Sequence, residues 1–489
     1  MTQSLSHQLP EATPRQLFIG GTWRDGSRGK LPVENPATGE LLVEIADAGV
    51  DDAVAALDAA AAAQKSWART PARERAELLR RAFEAVTERA EEFATLMTLE
   101  MGKPLAEARG EVTYGAEFLR WFSEETVRIA GRYRPSPEGN ARQLVTRRPV
   151  GPCLFITPWN FPLAMATRKV APALAAGCTV VLRPAALTPL TSLLFAKVLQ
   201  ECGLPDGVVN VITSTQHDTT DAIIADPRLR KLSFTGSTGV GKALLKQASE
   251  NVLRTSMELG GNAPLLVFED ADLDEAVQGA YLAKLRNMGE ACTAANRMFV
   301  HADVAEEFGR RLAEKFGSLT VGDGLAEGTD IGPLVSEQAR EGVAQLVSDA
   351  VAEGARVLTG GEKVDGEGWF YQPTVLADVK ANSALLDEEI FGPVAPITTF
   401  TSEQEAIERA NACSVGLAGY VFTRDMDRIL RVGEQLEVGM IGVNQGLLSN
   451  AAAPFGGVKQ SGLGREGSHE GLEEYLETVY LALPDPYRG

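Results

Sequence analysis

The chain predicts an α/β protein with two alternating domains, and three observations carry that expectation. Short β-rich runs alternate with amphipathic stretches through the middle of the chain. A second block of the same kind follows the first. Over 489 residues, 44% are hydrophobic and 23% charged, the balance of a globular protein large enough to bury a core in each unit. At roughly 150 residues per domain, this length corresponds to about three units, or two large ones with additions.

The elements follow in order. Residues 1–15 are polar, carry two prolines and read as a mobile arm. From Asp51 to Glu100 the composition turns to Ala, Glu, Arg and Leu. AVAALDAAAAAQKSW and AELLRRAFEAVTERAEEFATLMTLE place apolar residues at three- and four-residue spacing, which predicts helices. The segment 126–148 breaks this pattern with Pro-Ser-Pro and a Gly-Asn turn signal, and reads as a protruding extended arm. GCTVVLRP (177–184) is β-rich, SLLFAKVLQECG (192–203) is amphipathic and GVVNVIT (207–213) is β-rich again. KLSFTG (231–236) and the helix-like VGKALLKQASE continue the alternation, whose period is that of βαβ units around a parallel sheet. The second block runs over 263–445 and includes APLLVF, RMFVHA, ARVLTGG and GMIGVN.

Charge and cysteine usage exclude several classes. The net charge is −19, which argues against nucleic-acid phosphate or an anionic membrane as a partner. The five cysteines are scattered and none forms a C-x-x-C pair. A zinc ribbon is therefore excluded, the pattern argues against a secreted disulfide framework, and no metal site is predicted. The first thirty residues lack the apolar run of ~7–15 residues of a signal peptide. No stretch approaches the ~18 apolar residues of a membrane helix. A soluble, cytoplasmic protein is expected.

Four segments carry chemistry. FTGSTGVGK (234–242) sets Gly236, Gly239 and Gly241 between a strand and a helix, where backbone N–H groups and a helix end can meet a phosphate. The spacing fits neither the dinucleotide fingerprint nor a Walker loop, so a plain tight turn stays open. In PWNFP two prolines fix the path around Asn160, whose amide can donate to a developing oxyanion or merely satisfy a turn. NMGEACTAANR holds Cys292 among small residues, as a nucleophile or a small buried hydrophobe. SMELGGNAP sets Glu258 before two glycines just after a possible strand, as a base or a surface carboxylate.

Together these segments resemble the aldehyde dehydrogenase superfamily. NPATGE, PWNFP, FTGSTGVG, MELGGNAP, the stretch from Asn287 to Cys292, EEIFGPV and PFGGVKQSGLGRE stand in the family's order. The 34-residue separation of Glu258 from Cys292 is typical of the family, and the resemblance spans nearly the whole chain from FIGGTW onward. It implies two Rossmann-like α/β domains with a small oligomerisation arm. The dinucleotide-binding domain would comprise 1–125 and 149–257, the catalytic domain 258–445, and the arm 126–148 with 470–489. It also implies that Cys292 attacks an aldehyde to give a thiohemiacetal, that Asn160 and the Cys292 N–H hold the oxyanion, and that Glu258 activates water against the thioester. Trp159, Asn160, Arg183, Ala186, Gly236, Ser237, Leu259, Glu389 and Phe391 would contact the nicotinamide cofactor, Glu389 through ribose hydroxyls.

Within the family the chain is most similar to the branch that oxidises succinate semialdehyde, a step of 4-aminobutyrate breakdown. Arg168, Arg286 and Ser449 match positions that grip the carboxylate distal to the aldehyde there, although an arginine ion-paired at the surface would look the same. Another carboxylate-bearing aldehyde such as glutarate semialdehyde fits the same grip. A catalytically silent relative is disfavoured by the intact Cys292, Glu258 and Asn160.

The chain also departs from the family. RPAALTP puts Arg183 where the family has lysine, and Ala186 where NAD users often have glutamate, so NADP is expected at least alongside NAD. Glu290 replaces a usual glutamine, and an unpaired carboxylate there would oppose thiolate formation. Ala294 replaces a second cysteine, so no neighbouring-cysteine disulfide can form at the site. By resemblance, the arm and the C-terminal segment pair across subunits in a homodimer or homotetramer.

Overall fold

The computed structural model describes residues 8–11 and 13–487. Much of the expected N-terminal arm lies outside the described residues. No described helix is long and apolar enough to cross a membrane.

The first sheet has eight strands in the order Thr22–Arg24, Leu17–Ile19, Val209–Val211, Val180–Arg183, Cys153–Ile156, Lys231–Thr235, Arg254–Glu258, Gly462–Leu463. Its five central strands run parallel, and antiparallel strands close both edges. VVLR, CLFI and KLSFT are buried almost throughout because helices cover both faces of a parallel sheet. Alternate side chains feed two cores. Cys153, Phe155, Val180 and Leu182 face the cluster that includes the helix Pro162–Ala176. Leu154 and Val181 face the Ala-rich helix Val50–Trp67. Every residue of Pro162–Ala176 is buried, with Pro162 opening it and Gly177, at φ 93°, closing it in the left-handed region.

The second sheet has seven strands in the order Arg356–Thr359, Thr374–Ala377, Val394–Phe400, Ala295–His301, Ala263–Val267, Ala418–Phe422, Met440–Val443. Only the first of these is antiparallel to its neighbour. The structure thus has two α/β units of the expected class. A third, antiparallel sheet joins Arg132–Pro135, Ala141–Pro149 and Leu476–Pro484.

Two details differ from the sequence reading. Gly239 and Gly241 are not in the strand–helix turn but inside the helix Thr238–Glu250, which starts early because the Ser237 hydroxyl accepts the Val240 N–H. The stretch after residue 445 returns to the first sheet, where Gly462–Leu463 pairs with Met257 and Glu258. Glu258 is itself the last residue of a first-sheet strand.

Candidate active site

Between the two sheets lies a cavity of about 260 Å³. One wall is built from segments leaving the carboxyl ends of three parallel strands: Pro158–Phe161 after Cys153–Ile156, Gly236 and Ser237 after Lys231–Thr235, and Leu259 and Gly260 after Arg254–Glu258. Ligands of open α/β sheets bind at such ends. The opposite wall carries Arg286, Cys292, Glu389, Phe391 and Ser449.

Cys292 is half-buried on a turn pressed against the Gly260–Gly261 pair. A Cβ at Gly261 would lie 2.2 Å from the Cys292 carbonyl oxygen, so only glycine allows this approach. Burial pushes the Cys292 thiol up to about 12; Arg168 and Arg286 pull it down, whereas Glu389 and Glu258 push it further up.

Glu258 is 3% exposed, and neither carboxyl oxygen has a hydrogen-bond partner among the described residues. Burial, then the charge of Glu466, hold it well above the usual carboxylate range, against the pull of Arg168 and Lys169. Its carboxyl group lines the cavity. Asn160 is also buried; its Nδ2 donates to the Glu290 carbonyl at 2.9 Å, which fixes the amide beside the cysteine turn and leaves a second N–H for another acceptor.

Glu290 does not act as feared from the sequence. Its side chain is not part of the cavity lining; it accepts the Val335 N–H at 3.1 Å and leaves its other oxygen buried without a partner among the described residues. Burial raises its pKa well above the ordinary value, which favours the neutral form and weakens any field against a thiolate. All five cysteines are free.

The structure brings Arg168, Arg286 and Ser449 into the same cavity as Cys292. The two arginines differ. Arg168, 1% exposed, has Nε 2.5 Å from Glu466 Oε2 and its guanidinium 4.1 Å from the Phe455 ring centre. Lys169 holds the other Glu466 oxygen at 2.6 Å. Arg286 has no carboxylate within ion-pair distance among the described residues; it sits between the Tyr114 and Phe161 rings, and its Nη1 donates to Ser449 Oγ at 3.4 Å. Glu466, Lys169, Phe455 and Tyr114 were missed by the sequence reading. Charged residues in otherwise buried segments, such as the Arg168–Lys169 pair inside PLAMATRKVAPALAA, were the available signal.

At the other end of the cavity stand groups suited to a dinucleotide. The helix Thr238–Glu250 presents its N-terminus behind Gly236 and Ser237, a favourable site for a phosphate. Trp159 and Phe391 meet edge-to-face at 5.4 Å, and Leu259 lies on the same wall. Glu389 accepts one N–H, from Gly261 at 3.3 Å, and burial raises its carboxyl to about 7. Arg183 and Ala186 are not in this cavity. Arg183 ends its strand with Nη2 donating to the carbonyls of Ser214 and Gln216, and Nε is buried without a partner. Asp47, Asp218 and Asp221 lie within electrostatic reach of it. Among the described residues no cluster of potential metal ligands occurs.

Comparison with known proteins gives a consistent outcome. The model of the aldehyde dehydrogenase family matches residues 23–481. A succinate-semialdehyde dehydrogenase of Paenarthrobacter nicotinovorans is 64% identical over 450 residues, covering 92% of this chain and all of the relative. The NADP(+) succinate-semialdehyde dehydrogenase of Escherichia coli K12 is 47% identical, covering 96% of this chain and 98% of its own. A solved succinate-semialdehyde dehydrogenase structure from Burkholderia pseudomallei superposes with a TM-score of 0.96 at 46% identity, over 97% of this chain and 99% of that one.

Proposed function

This chain belongs to the aldehyde dehydrogenase family, and from that premise we propose that it oxidises succinate semialdehyde to succinate with NADP or NAD, in 4-aminobutyrate breakdown. One observation carries the substrate: Arg286, with no carboxylate at ion-pair distance among the described residues and backed by Ser449, shares a cavity with Cys292. A half-buried guanidinium with no ion-pair partner is open to a substrate carboxylate, which it can hold with charge-assisted hydrogen bonds. Arg168 adds positive field from the opposite wall.

In this reading the Cys292 thiolate attacks the aldehyde carbon, and the free N–H of the Asn160 amide and the Cys292 N–H hold the resulting oxyanion. The bound dinucleotide supplies the hydride acceptor. Gly236 and Ser237 at the helix N-terminus would hold its phosphates, Glu389 a pair of ribose hydroxyls, and Trp159, Leu259 and Phe391 would flank it. The acyl group is then a thioester on Cys292, and Glu258 takes a proton from the water that hydrolyses it. Residues 1–125 with 149–257 serve as the dinucleotide-binding domain and 258–445 as the catalytic domain. The arm, 126–148 with 470–489, joins subunits in a homodimer or homotetramer, and the free cysteines accord with a cytoplasmic setting.

For the cofactor, Ala186 leaves no carboxylate to repel a 2′-phosphate, and Arg183 stands at the carboxyl end of a parallel strand to receive one. Arg183→Ala should weaken NADPH binding about tenfold and leave NADH nearly unchanged, by fluorescence titration. Equal loss for both would remove Arg183 from phosphate recognition. For the substrate, kcat/KM is compared for succinate semialdehyde and butyraldehyde. Wild type should prefer the former strongly, and Arg286→Ala should raise its KM roughly tenfold to a hundredfold while sparing butyraldehyde. A ratio near one in wild type would mean another aldehyde is the substrate.

A further inference from the structure

The turn that delivers Cys292 is bent against its own preference. After the helix Leu273–Leu285, Asn287 (φ 56°, ψ 43°) and Met288 (φ 54°, ψ 21°) both adopt left-handed backbone, and Gly289 follows at φ 80°. Side-chain-bearing residues disfavour this region, and successive ones persist only where their surroundings over-determine them. The Asn287 side chain supplies part of the restraint, with Nδ2 donating to the carbonyls of Asn160 at 3.1 Å and Glu290 at 3.0 Å. The Asn287 backbone N–H is held from elsewhere, by Glu107 Oε2 at 2.5 Å.

Glu107 lies on the helix Leu105–Thr126, one turn before Glu111, so the two carboxylates share a helix face. Glu111 accepts the N–H groups of Leu163 (2.9 Å) and Ala164 (3.1 Å) and pairs with Lys103, whose Nζ donates to the Asn160 carbonyl at 2.8 Å. One face of one helix therefore meets both halves of the site. Glu111 fixes the Asn160 segment, and Glu107 fixes the turn before Cys292.

We propose that Glu107 is a positioning residue for the nucleophile: by accepting the Asn287 N–H it holds the left-handed turn that sets Cys292 against Asn160. This rests on the reading of Cys292 as nucleophile and Asn160 as oxyanion donor. A buried nucleophile displaced by a fraction of an ångström loses much of its rate without losing its substrate, so the effect belongs in kcat. The acceptor oxygen, not the charge, carries the role.

The test compares Glu107→Gln, which keeps an acceptor oxygen, with Glu107→Met, which fills the same space without one. Turnover of succinate semialdehyde and butyraldehyde is measured with KM, with NADH affinity, and with the rate at which iodoacetamide alkylates Cys292. Glu107→Met should lower kcat roughly tenfold to a hundredfold for both aldehydes and alter the alkylation rate, with KM and NADH affinity within twofold of wild type. Glu107→Gln should recover most of kcat. Should Glu107→Met fail to fold, Glu107→Asp withdraws the acceptor on a shorter arm and is expected to show the same kcat loss. Three results would overturn the proposal: unchanged kcat in Glu107→Met, an equal loss in Glu107→Gln, or a loss confined to KM for the carboxylated aldehyde, which would mean that Glu107 acts on Arg286. Failure of the nucleophile reading shows separately, as turnover surviving in Cys292→Ala.

Discussion

At Cys292, burial and the surrounding charges act in opposite directions, and burial prevails. With the thiol pushed up to about 12, the resting protein carries it protonated at neutral pH, and its thiolate fraction grows about tenfold per pH unit. Alkylation of Cys292 by iodoacetamide in the cofactor-free protein should therefore rise by about that factor per unit from about pH 7 to 9, without a plateau. A plateau below pH 8 would contradict the dominance of burial. Glu258 is raised in the same sense by burial, so nucleophile and base both gain activity as protons leave, and turnover should rise with pH. Their roles separate by substitution. Cys292→Ala should abolish turnover and leave NADH affinity intact. Glu258→Gln should form about one equivalent of reduced cofactor per site in a burst and then stall, because only deacylation needs the base. A burst-free progress curve at full rate would remove Glu258 from the mechanism. The candidate residues were legible from motifs that resemble the family's; their burial was not, since it depends on neighbours remote in the chain.

Among the elements, the cysteine turn shows how far local pattern reaches. NMGEAC reads as a small-residue segment, yet nothing in it announces consecutive left-handed residues. That bend follows from Gly289 lying against the 391–393 segment, where an added Cβ would meet the Gly392 carbonyl at 2.2 Å. Gly289→Ala must both clash and leave φ 80°, and should destabilise the protein by about 2–4 kcal/mol in urea melts, with loss of turnover. A stability change under about 0.5 kcal/mol would show the turn to be pliable. The parallel strands were more legible. Their apolar runs are long enough to fill both faces of a covered sheet, whereas the start of Thr238–Glu250 depended on a single cap at Ser237.

For the whole molecule, the role proposed for the arm lies outside one chain. Leu476–Pro484 pairs residue by residue with Pro149–Ala141, and Tyr133 and Tyr480 stand exposed on this sheet at 61% and 56%. Two exposed tyrosines on a thin antiparallel sheet suit a protein contact. Deleting residues 478–489 should unpair the strand Ala141–Pro149 and lower the sedimenting mass to that of one chain; an unchanged mass would exclude the arm from assembly.

By itself the sequence determined the alternation of strands and helices, because periodicity and turn chemistry are local properties of neighbouring residues, and the order of the motifs, which carried the family resemblance and with it the candidates Cys292, Glu258 and Asn160. Tertiary structure alone decided which charges meet. It gave Glu466 to Arg168 and Lys169, almost three hundred positions away, left Arg286 without an ion-paired carboxylate among the described residues, turned Glu290 toward Val335 and kept Arg183 out of the cavity. Those outcomes depend on burial and on contacts between segments distant in the chain, and a buried group takes its charge state from what closes over it.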